Sequence, residues 1–206
     1  MSESAIKSAL THLGDQSPTL ARLIKDHGPY TPRRASNPEV FKSLAKAIIY
    51  QQLAGKAASS IHKRFVDLLD GNVSPQNILA QDPEIIRSAG LSGAKRDAVI
   101  DLAKHTLAGT LVLEELDKLD DDALTRTLVQ VRGIGPWTAQ MFMLSELGRL
   151  DVWPTGDLGV RKGFALAFGL PAVPTAKALG PLGDPFRPYR SIVAWYCWQA
   201  LDKTKP

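Results

Sequence analysis

The stretch that decides the fold reads Val131-Arg132-Gly133-Ile134-Gly135-Pro136-Trp137-Thr138-Ala139 and lies between two helical patterns. Gly133 and Gly135 bracket one apolar residue, and glycine can adopt backbone angles that other residues avoid. Pro136 suits the first position of a helix, where its missing N–H group costs nothing. The stretch therefore predicts a tight hairpin followed by a helix whose first backbone N–H groups are available to an anion.

Helical periodicity flanks this hairpin on both sides. Upstream, apolar residues recur at helical spacing over residues 121–129, which predicts an amphipathic helix. Downstream, residues 136–147 carry few charges, which predicts a helix that is buried on much of its circumference. Residues 121–147 together resemble the helix-hairpin-helix DNA-binding element. A Gly-x-Gly turn alone, however, is equally compatible with simple turn chemistry between helices.

Helical patterns dominate the rest of the chain, and no segment alternates polar and apolar residues over a strand's length. The sequence therefore predicts an all-α fold. Helices are expected at residues 3–13, 17–27, 38–51, 56–69, 75–80, 83–89, 92–107, 121–130, 136–147, 157–168 and 185–202. Asn37 and Pro38 would begin the third of these helices as cap and first residue. Residues 28–36 and 170–184 are rich in proline and glycine and are predicted to be loops.

Composition argues against several classes of protein. The 206 residues contain no apolar run of about 18 residues, so no membrane span is expected. The first ten residues lack the apolar core of a signal peptide, so the protein is expected to be intracellular, in the cytoplasm or nucleoid of a bacterium or in a eukaryotic nucleus. The single cysteine, Cys197, excludes an internal disulfide and a four-cysteine zinc or iron–sulfur site.

The net charge of +4 is compatible with nucleic-acid binding but does not establish it. The basic residues fall in several groups along the chain, which could form a positive surface. These residues are Lys42, Lys46, Lys56, Lys63, Arg64, Lys95, Arg96, Arg132, Arg161, Lys162, Arg187 and Arg190. Solvated helix faces are the alternative interpretation of any such group.

Asp157 is the strongest candidate for chemistry. It ends the segment 151–157, which contains Pro154 and Gly156, and aspartate is a preferred helix N-cap. A capping role does not exclude a catalytic one, because the helix dipole favours a negative charge at this end. An ionised carboxylate beside a sugar can stabilise a transition state that resembles an oxocarbenium ion.

The hairpin residues 133–139, followed by Pro154 and Asp157, resemble the helix-hairpin-helix Gly/Pro/Asp superfamily of DNA base-excision glycosylases. Within it, the chain is most similar to the DNA-3-methyladenine glycosylase II type, which residues 50–58 and the segment from Pro188 to Trp198 also match. Two separated motifs in the right order make the resemblance specific.

This resemblance implies a single catalytic unit over residues 1–206, built as a two-lobed helical bundle. Lobe one would cover about residues 37–148 and include the helix-hairpin-helix element. Lobe two would combine residues 1–36 and 149–206, with the active site in the cleft between the lobes. The implied partner is double-stranded DNA with alkylated bases, bound by a monomer that has no contact with membranes.

The resemblance also implies a role for individual residues. Asp157 falls on the catalytic aspartate, and Leu53 or its neighbour Ala54 falls on the residue that enters the base stack when a nucleotide is flipped out. Leucine can act as an apolar wedge, whereas alanine is short for this purpose, which favours Leu53. No cofactor is required. The remaining implied roles are base-pocket contacts by Trp137, Trp198, Gln52 and Met141, phosphate binding by Gly133, Gly135 and Arg132, and a structural Na⁺ or K⁺ on the backbone carbonyls of Val129, Val131 and Ile134.

Several of these residues have ordinary structural interpretations as well. Trp137 and Trp198 could be core residues. Gln51 and Gln52 could be pocket amides or merely polar residues at a helix end. Met141 replaces an aromatic residue that lines some pockets of the family, which affects the expected range of substrates.

One departure from the superfamily indicates the reaction. Members that also cut the DNA backbone carry a lysine nucleophile at the position of Trp137, and a guanidinium such as that of Arg132 stays protonated. The resemblance therefore implies a monofunctional glycosylase that hydrolyses the N-glycosidic bond of alkylated purines, 3-methyladenine and 7-methylguanine, in base excision repair.

The sequence is also compatible with three alternative functions. The first is a glycosylase for another damaged base, and the second is a non-catalytic helix-hairpin-helix DNA-binding module. The third is an enzyme of the endonuclease III kind, against which the lone Cys197 and the missing hairpin lysine weigh.

Overall fold

The computed structural model describes residues 3–31, 39–53 and 55–202. The α-helices are α1 (Glu3–Gln16), α2 (Pro18–His27), α3 (Val40–Tyr50), α4 (Gly55–Leu68), α5 (Pro75–Ala80), α6 (Pro83–Ser88), α7 (Gly93–Leu107), α8 (Asp121–Leu128), α9 (Pro136–Ser145), α10 (Leu158–Phe168), α11 (Ala176–Leu182) and α12 (Arg190–Asp202). Short 3-10 helices cover Leu113–Lys118 and Asp184–Phe186. No β-strand occurs in these described ranges, so the predicted all-α fold is confirmed. None of the described helices is both long and apolar enough to cross a membrane.

The chain divides into two units. The hairpin unit comprises residues 34–147, and the aspartate unit comprises residues 1–33 and 148–206. In the hairpin unit, α3 packs against α4, α7 and α9, and its Leu44 and Ile48 side chains are fully buried. In the aspartate unit, α12 packs against α10 and α2. Each unit therefore has a helix at the centre of its own core.

The predicted hairpin joins α8 to α9. Asp120 accepts a hydrogen bond from the Ala123 N–H at 2.7 Å and so caps α8, as aspartate commonly does. Gly133 has a φ of +79°, which L-residues with a side chain rarely adopt. The Ile134 N–H donates to the Val131 carbonyl at 3.0 Å and closes the turn. Gly135 is the N-cap of α9 and Pro136 its first residue.

In the aspartate unit, α10 and α12 approach each other through a glycine. A Cβ atom on Gly163 would overlap the backbone carbonyl of Cys197, so the two helices meet backbone to backbone. Val160 and Phe164 of α10 are buried on either side of this contact, and the Phe164 ring stacks on Phe168 with centroids 4.2 Å apart. Only glycine allows this close approach without displacing α12.

Two predictions for the C-terminal part of the chain are wrong. Residues 170–184 are not a continuous loop, because α11 begins after Thr175, whose hydroxyl accepts from the Ala178 N–H at 3.2 Å, and Leu179 is fully buried. The last helix begins at Arg190 rather than at residue 185, since Pro188 has no N–H to donate and disfavours helical angles in the residue before it. The predicted start of the third helix at Asn37 and Pro38 lies outside the described residues.

Candidate functional site

Asp157 is the N-cap of α10, as its residue type predicts. Its Oδ1 atom accepts the backbone N–H of Val160 at 2.8 Å. The same oxygen accepts the indole Nε1–H of Trp198 at 3.0 Å. The carboxylate is half-buried and lies at the positive end of the α10 dipole, which favours its charge. Capping and a catalytic role are therefore compatible in this geometry.

The contact between Trp198 and Asp157 depends on the packing of α10 against α12. A Cβ atom on Gly159 would lie 2.9 Å from Cδ1 of Trp198 and 3.0 Å from Oδ1 of Asp157, which is closer than Cβ atoms pack. The absence of a side chain at Gly159 thus leaves room for the indole ring beside the carboxylate. Trp198 is half-buried and packs against the core of the aspartate unit, so core packing and the contact with Asp157 occur in the same side chain.

Cys197 lies directly beside this pair along α12 and is fully buried. Burial raises the pKa of its thiol, and the negative charge of Asp157 raises that pKa further. The thiol therefore stays protonated and is not a nucleophile at neutral pH. Cys197 is therefore a small core residue.

The segment that leads to Asp157 is fixed at its start by two arginines. Arg190 contacts Asp151 with Nε–Oδ1 at 2.8 Å and Nη2–Oδ2 at 2.9 Å, and Arg187 adds Nη1–Oδ2 at 2.8 Å. These arginines belong to the basic groups that could have formed a positive surface. Their charges are instead matched by Asp151 and by Asp184, which lies 3.5 Å from Arg187 and 4.0 Å from Arg190. The ion pairs with Asp151 hold residue 151 against the start of α12.

Further along the same segment, the buried Trp153 donates its indole N–H to the Leu179 carbonyl at 3.0 Å. Sequence reasoning assigned no role to Trp153, because its partner lies on the helix that was predicted as a loop. The first half of the segment 151–157 is thus held by contacts within the aspartate unit.

The hairpin residues predicted to bind phosphate differ in their surroundings. A Cβ atom on Gly133 would lie 2.8 Å from the Ala98 Cβ atom, whereas nothing lies within 4 Å of such an atom on Gly135. The Arg132 side chain is 66% exposed and lies 3.4 Å from the Asp97 carboxylate. Position 135 thus has room for a side chain, whereas position 133 requires glycine because of its backbone angle and its contact with α7.

Electrostatics link α7 to the hairpin as well. The Arg132 N–H donates to Oδ2 of Asp101 at 2.8 Å. The hydrogen bond and charge of Arg96, with a further contribution from the charge of Arg132, lower the pKa of Asp97. The exposed Arg132 therefore shares the half-buried Asp97 carboxylate with Arg96, and a phosphate can displace Arg132 from it.

The residues around the predicted wedge form the turn between α3 and α4. Gln52 has a φ of +54° and is exposed, and Leu53 is 38% exposed. Ala54, the alternative wedge residue, lies outside the described residues. Leu53 is therefore a surface residue, as the wedge hypothesis requires.

Gln51 has a role that the sequence did not reveal. Its Nε2 atom donates to the Gly133 carbonyl at 2.9 Å and to Oγ1 of Thr138 at 3.0 Å. Of the two interpretations that were open for Gln51, pocket amide or helix-end polar residue, neither describes it fully, because it bridges the α3–α4 turn to the hairpin. Pairing across 82 residues leaves no local sequence signal.

The aromatic and apolar pocket candidates of the hairpin unit lie on α9. Trp137 is 41% exposed, which is unusual for so large an apolar side chain. Met141 follows one turn later and is half-buried, so the two side chains lie on the same face of the helix. The core-residue alternative for Trp137 is therefore not supported.

No group of three or more His, Cys, Asp or Glu side chains in the described ranges is placed to hold a metal ion. The carbonyls of Val129, Val131 and Ile134 lie within one six-residue turn. The Val131 carbonyl also accepts the Ile134 N–H, but a carbonyl oxygen has a second lone pair. Neutral carbonyl oxygens suit a hard cation of low charge.

The family match, the relatives and the solved structures that resemble this chain all point to base excision DNA repair. The family described as HhH-GPD superfamily base excision DNA repair protein matches residues 45–181. DNA-3-methyladenine glycosylase 1 of Schizosaccharomyces pombe is 33% identical over 98% of this chain and 92% of its own length. A solved structure of the 3-methyladenine DNA glycosylase of this yeast, in complex with abasic DNA, has a TM-score of 0.86 at 34% identity and covers 93% of this chain and 95% of that chain.

A bacterial structure agrees with the yeast one. The DNA-3-methyladenine glycosidase of Bacillus halodurans has a TM-score of 0.83 at 32% identity, with 93% of this chain and 88% of that chain covered. The family match covers more than half of the sequence and includes the hairpin, Pro154 and Asp157. The chain belongs to the HhH-GPD superfamily of base excision DNA repair proteins, among the DNA-3-methyladenine glycosylases.

Proposed function

We propose that this protein is a monofunctional DNA glycosylase that hydrolyses the N-glycosidic bond of alkylated purines, 3-methyladenine and 7-methylguanine, in double-stranded DNA. The observation that carries the proposal is the Asp157 carboxylate at the N-terminus of α10, held by the Trp198 indole at 3.0 Å. Relatives of the chain are named DNA-3-methyladenine glycosylases. The enzyme acts as a monomer, with residues 1–206 as one catalytic unit, in the compartment that holds the cell's DNA.

The chemistry requires a negative charge but no general acid. A purine alkylated at N3 or N7 is cationic, so the bond from C1′ to N9 breaks with its electron pair moving to the purine, which leaves as a neutral base. The Asp157 carboxylate stabilises the positive charge that develops on the sugar. A water molecule then forms the new bond to C1′ and loses its proton, which yields the abasic site.

Aromatic side chains supply the preference for a cationic base. A cation over an indole face gains on the order of 0.5–2 kcal/mol over a neutral group of the same shape. We assign this contact to the exposed Trp137 and the half-buried Trp198. Gln52 and Met141 are assigned as further contacts to the base.

The absence of lyase activity is proposed from the hairpin sequence. Cleavage of the DNA backbone through an enzyme-bound imine requires an amine nucleophile. Residues 129–140 contain no lysine, and Trp137 occupies the position at which bifunctional relatives carry one. Water is therefore the nucleophile, and the product is an intact strand with an abasic site.

The hairpin is proposed as the phosphate anchor. The N-terminus of α9 is the positive end of its helix dipole, which attracts an anion. Gly135 leaves this end open, and Arg132 adds an exposed positive charge. A Na⁺ or K⁺ ion on the carbonyls of Val129, Val131 and Ile134 would add further positive charge at this turn.

The first experiment measures base release from duplex DNA that carries 3-methyladenine or 7-methylguanine. We expect wild-type protein to release both bases, and to cut the strand only after alkali treatment. The Asp157→Asn variant should bind the duplex as tightly as wild type, but its single-turnover excision rate should fall by a factor of about 100 to 1,000, since electrostatic stabilisation of a transition state contributes roughly 3–4 kcal/mol.

Each outcome of this experiment discriminates between functions. Strand cutting without alkali would indicate a lyase of the endonuclease III kind. DNA binding with no base release from any damaged duplex would indicate a non-catalytic DNA-binding module. Release of only a non-alkylated damaged base would indicate a different substrate class, and an Asp157→Asn variant as fast as wild type would remove Asp157 from the mechanism.

The hydrogen bond from Trp198 to Asp157 can be tested without removing the aromatic ring. Trp198→Phe keeps a ring at this position but loses the Nε1–H donor. Because a hydrogen bond to a charged group contributes roughly 1.5–3 kcal/mol, we expect single-turnover excision to slow by a factor of about 10 to 100 while DNA affinity is unchanged. Trp195→Phe on the same helix is the matched control. Equal rates for the two variants would show that the donor is not used.

The Gly135→Asp variant tests DNA binding by the hairpin without destabilising the fold. Aspartate is a favoured N-cap, a Cβ atom is accommodated at this position, and the backbone φ is −97°, so thermal stability should be preserved or increased. The new carboxylate should repel a phosphate, weaken binding by a similar factor on every duplex, and flatten the salt dependence of the association constant. Salt titrations on two different lesions measure this. Unchanged affinity, or loss on one lesion alone, would refute the phosphate anchor.

Leu53→Ala tests the wedge. The side chain is 38% exposed, so its truncation should shift the melting temperature little. Loss of the wedge should reduce flipping of the target base, which normally requires a few kcal/mol of unstacking energy. Leu79→Ala is the matched control, because Leu79 is also 38% exposed. Fluorescence of 2-aminopurine beside the lesion reports flipping. A normal flipping signal with lowered stability would place Leu53 in a structural role instead.

A further inference from the structure

Helix α7 makes an unusual contact with the end of α3. The Lys95 ammonium donates to the Ile49 carbonyl at 2.7 Å and to the Gln51 carbonyl at 2.8 Å. These carbonyls lie at the C-terminus of α3, where backbone acceptors have no partner within the helix and the helix dipole attracts a cation. Lys95 is half-buried, and burial lowers its pKa. Its charge is therefore directed at the α3–α4 turn rather than at bulk solvent.

The next turns of α7 contact the hairpin. Ala98 is buried against Gly133, where a Cβ atom would come within 2.8 Å of the alanine methyl group. Asp101 accepts the Arg132 N–H at 2.8 Å. Residues 95, 98 and 101 follow one another at intervals of three, so they lie on one side of the helix. One side of α7 thus holds the end of α3 and the hairpin at the same time.

A direct bond joins the two segments that α7 supports. The Gln51 side chain donates to the Gly133 carbonyl at 2.9 Å, while the backbone carbonyl of the same residue accepts from Lys95. Gln51 is therefore held by α7 on its main chain and holds the hairpin with its side chain. The three elements form a closed set of contacts within the hairpin unit.

The α3–α4 turn needs such support because its backbone is strained. Gln52 adopts a φ of +54°, a conformation that is unfavourable for residues with a side chain and persists where neighbouring contacts fix it. Leu53 follows immediately and is exposed, so its own packing contributes little to holding the turn. The direction of the Leu53 side chain is set mainly by the residues before it.

We propose that Lys95 is a positioning residue for base flipping, which holds the turn of residues 51–53 in a fixed register with the hairpin. The proposal rests on the roles proposed above for Leu53 and for the hairpin. In a duplex, the distance between a phosphate and the neighbouring base stack is fixed. The hairpin, which is proposed to bind the phosphate, and the turn that carries Leu53 must therefore be held at a matching distance. Helix α7 provides this spacing through Lys95 on one turn and Ala98 and Asp101 on the next two.

The test replaces Lys95 with methionine, which keeps the aliphatic stem but removes the donors and the charge. Lys104→Met is the matched control, because Lys104 lies on the same helix and is exposed. We expect Lys95→Met to slow single-turnover excision by a factor of about 10 to 100, since small errors of position have effects of this size. The 2-aminopurine flipping signal should fall, and affinity for undamaged duplex should stay within about twofold of wild type because the ammonium faces carbonyls rather than phosphate. The control should change none of these.

A second variant covers the case in which Lys95→Met folds poorly. Gln51→Leu removes the bond to the Gly133 carbonyl and leaves Lys95 in place. It should reproduce the loss of flipping, and the double variant should be no slower than the slower single variant, because residues that act on one element are not additive. Additive losses would show that Lys95 and Gln51 act independently and would overturn the proposal.

Hydrogen–deuterium exchange distinguishes failure of this proposal from failure of the proposed function. In the free protein, Lys95→Met should speed exchange of peptide amides at the end of α3 and in the following turn, and Lys104→Met should not. Unchanged exchange there would overturn the positioning role, and so would a uniform loss of affinity with a flatter salt dependence, which would make Lys95 a phosphate contact. Wild-type protein that releases no base from any duplex would refute the proposed function, whatever the exchange result.

Discussion

The geometry around Asp157 depends on one constraint, the close approach of α10 and α12. Gly163 meets the backbone of Cys197, and Gly159 faces the Trp198 ring. A side chain at either glycine would force the helices apart, because a packed core does not absorb the added volume. The hydrogen bond from Trp198 to Asp157 has little tolerance for such a shift, since its strength falls steeply with distance and angle. The geometry around Asp157 is therefore a property of helix packing as much as of the loop that ends at Asp157.

The two glycines of the hairpin show that one residue type can serve two physical purposes. Gly133 combines a φ of +79° with a contact to Ala98, so the fold itself requires it. Gly135 has an extended backbone and open space around it, so folding makes no comparable demand there. The phosphate contact proposed for the hairpin accounts for a glycine at this second position, and the Gly-x-Gly pattern alone does not distinguish the two purposes.

Helix caps and helix starts could be predicted from the sequence, whereas contacts between residues far apart in the chain could not. The cap at Asp157 and the proline at the start of α9 act on neighbours a few residues away, so both could be predicted from the local sequence. Helix α11 was missed because Gly180 and Pro181 lie inside it, although Thr175 and Leu179 give it a cap and a buried anchor. The contacts of Lys95 with α3 and of Trp198 with Asp157 cross 44 and 41 residues. Such pairings leave no periodic signal in a single chain.

In the proposed reaction, the substrate preference follows from the groups of the aspartate unit that surround Asp157. Asp157 offers a negative charge, which stabilises a sugar cation but does not protonate a leaving base. The neighbouring Cys197 thiol is fully buried, and its pKa is raised by burial and by the charge of Asp157, so it is a poor proton donor. A neutral purine would have to leave as an anion from such a site, whereas an alkylated, cationic purine leaves as a neutral molecule. Discrimination between damaged and normal purines thus arises from the reactivity of the bond itself, and aromatic contacts with the positive charge need only add to it.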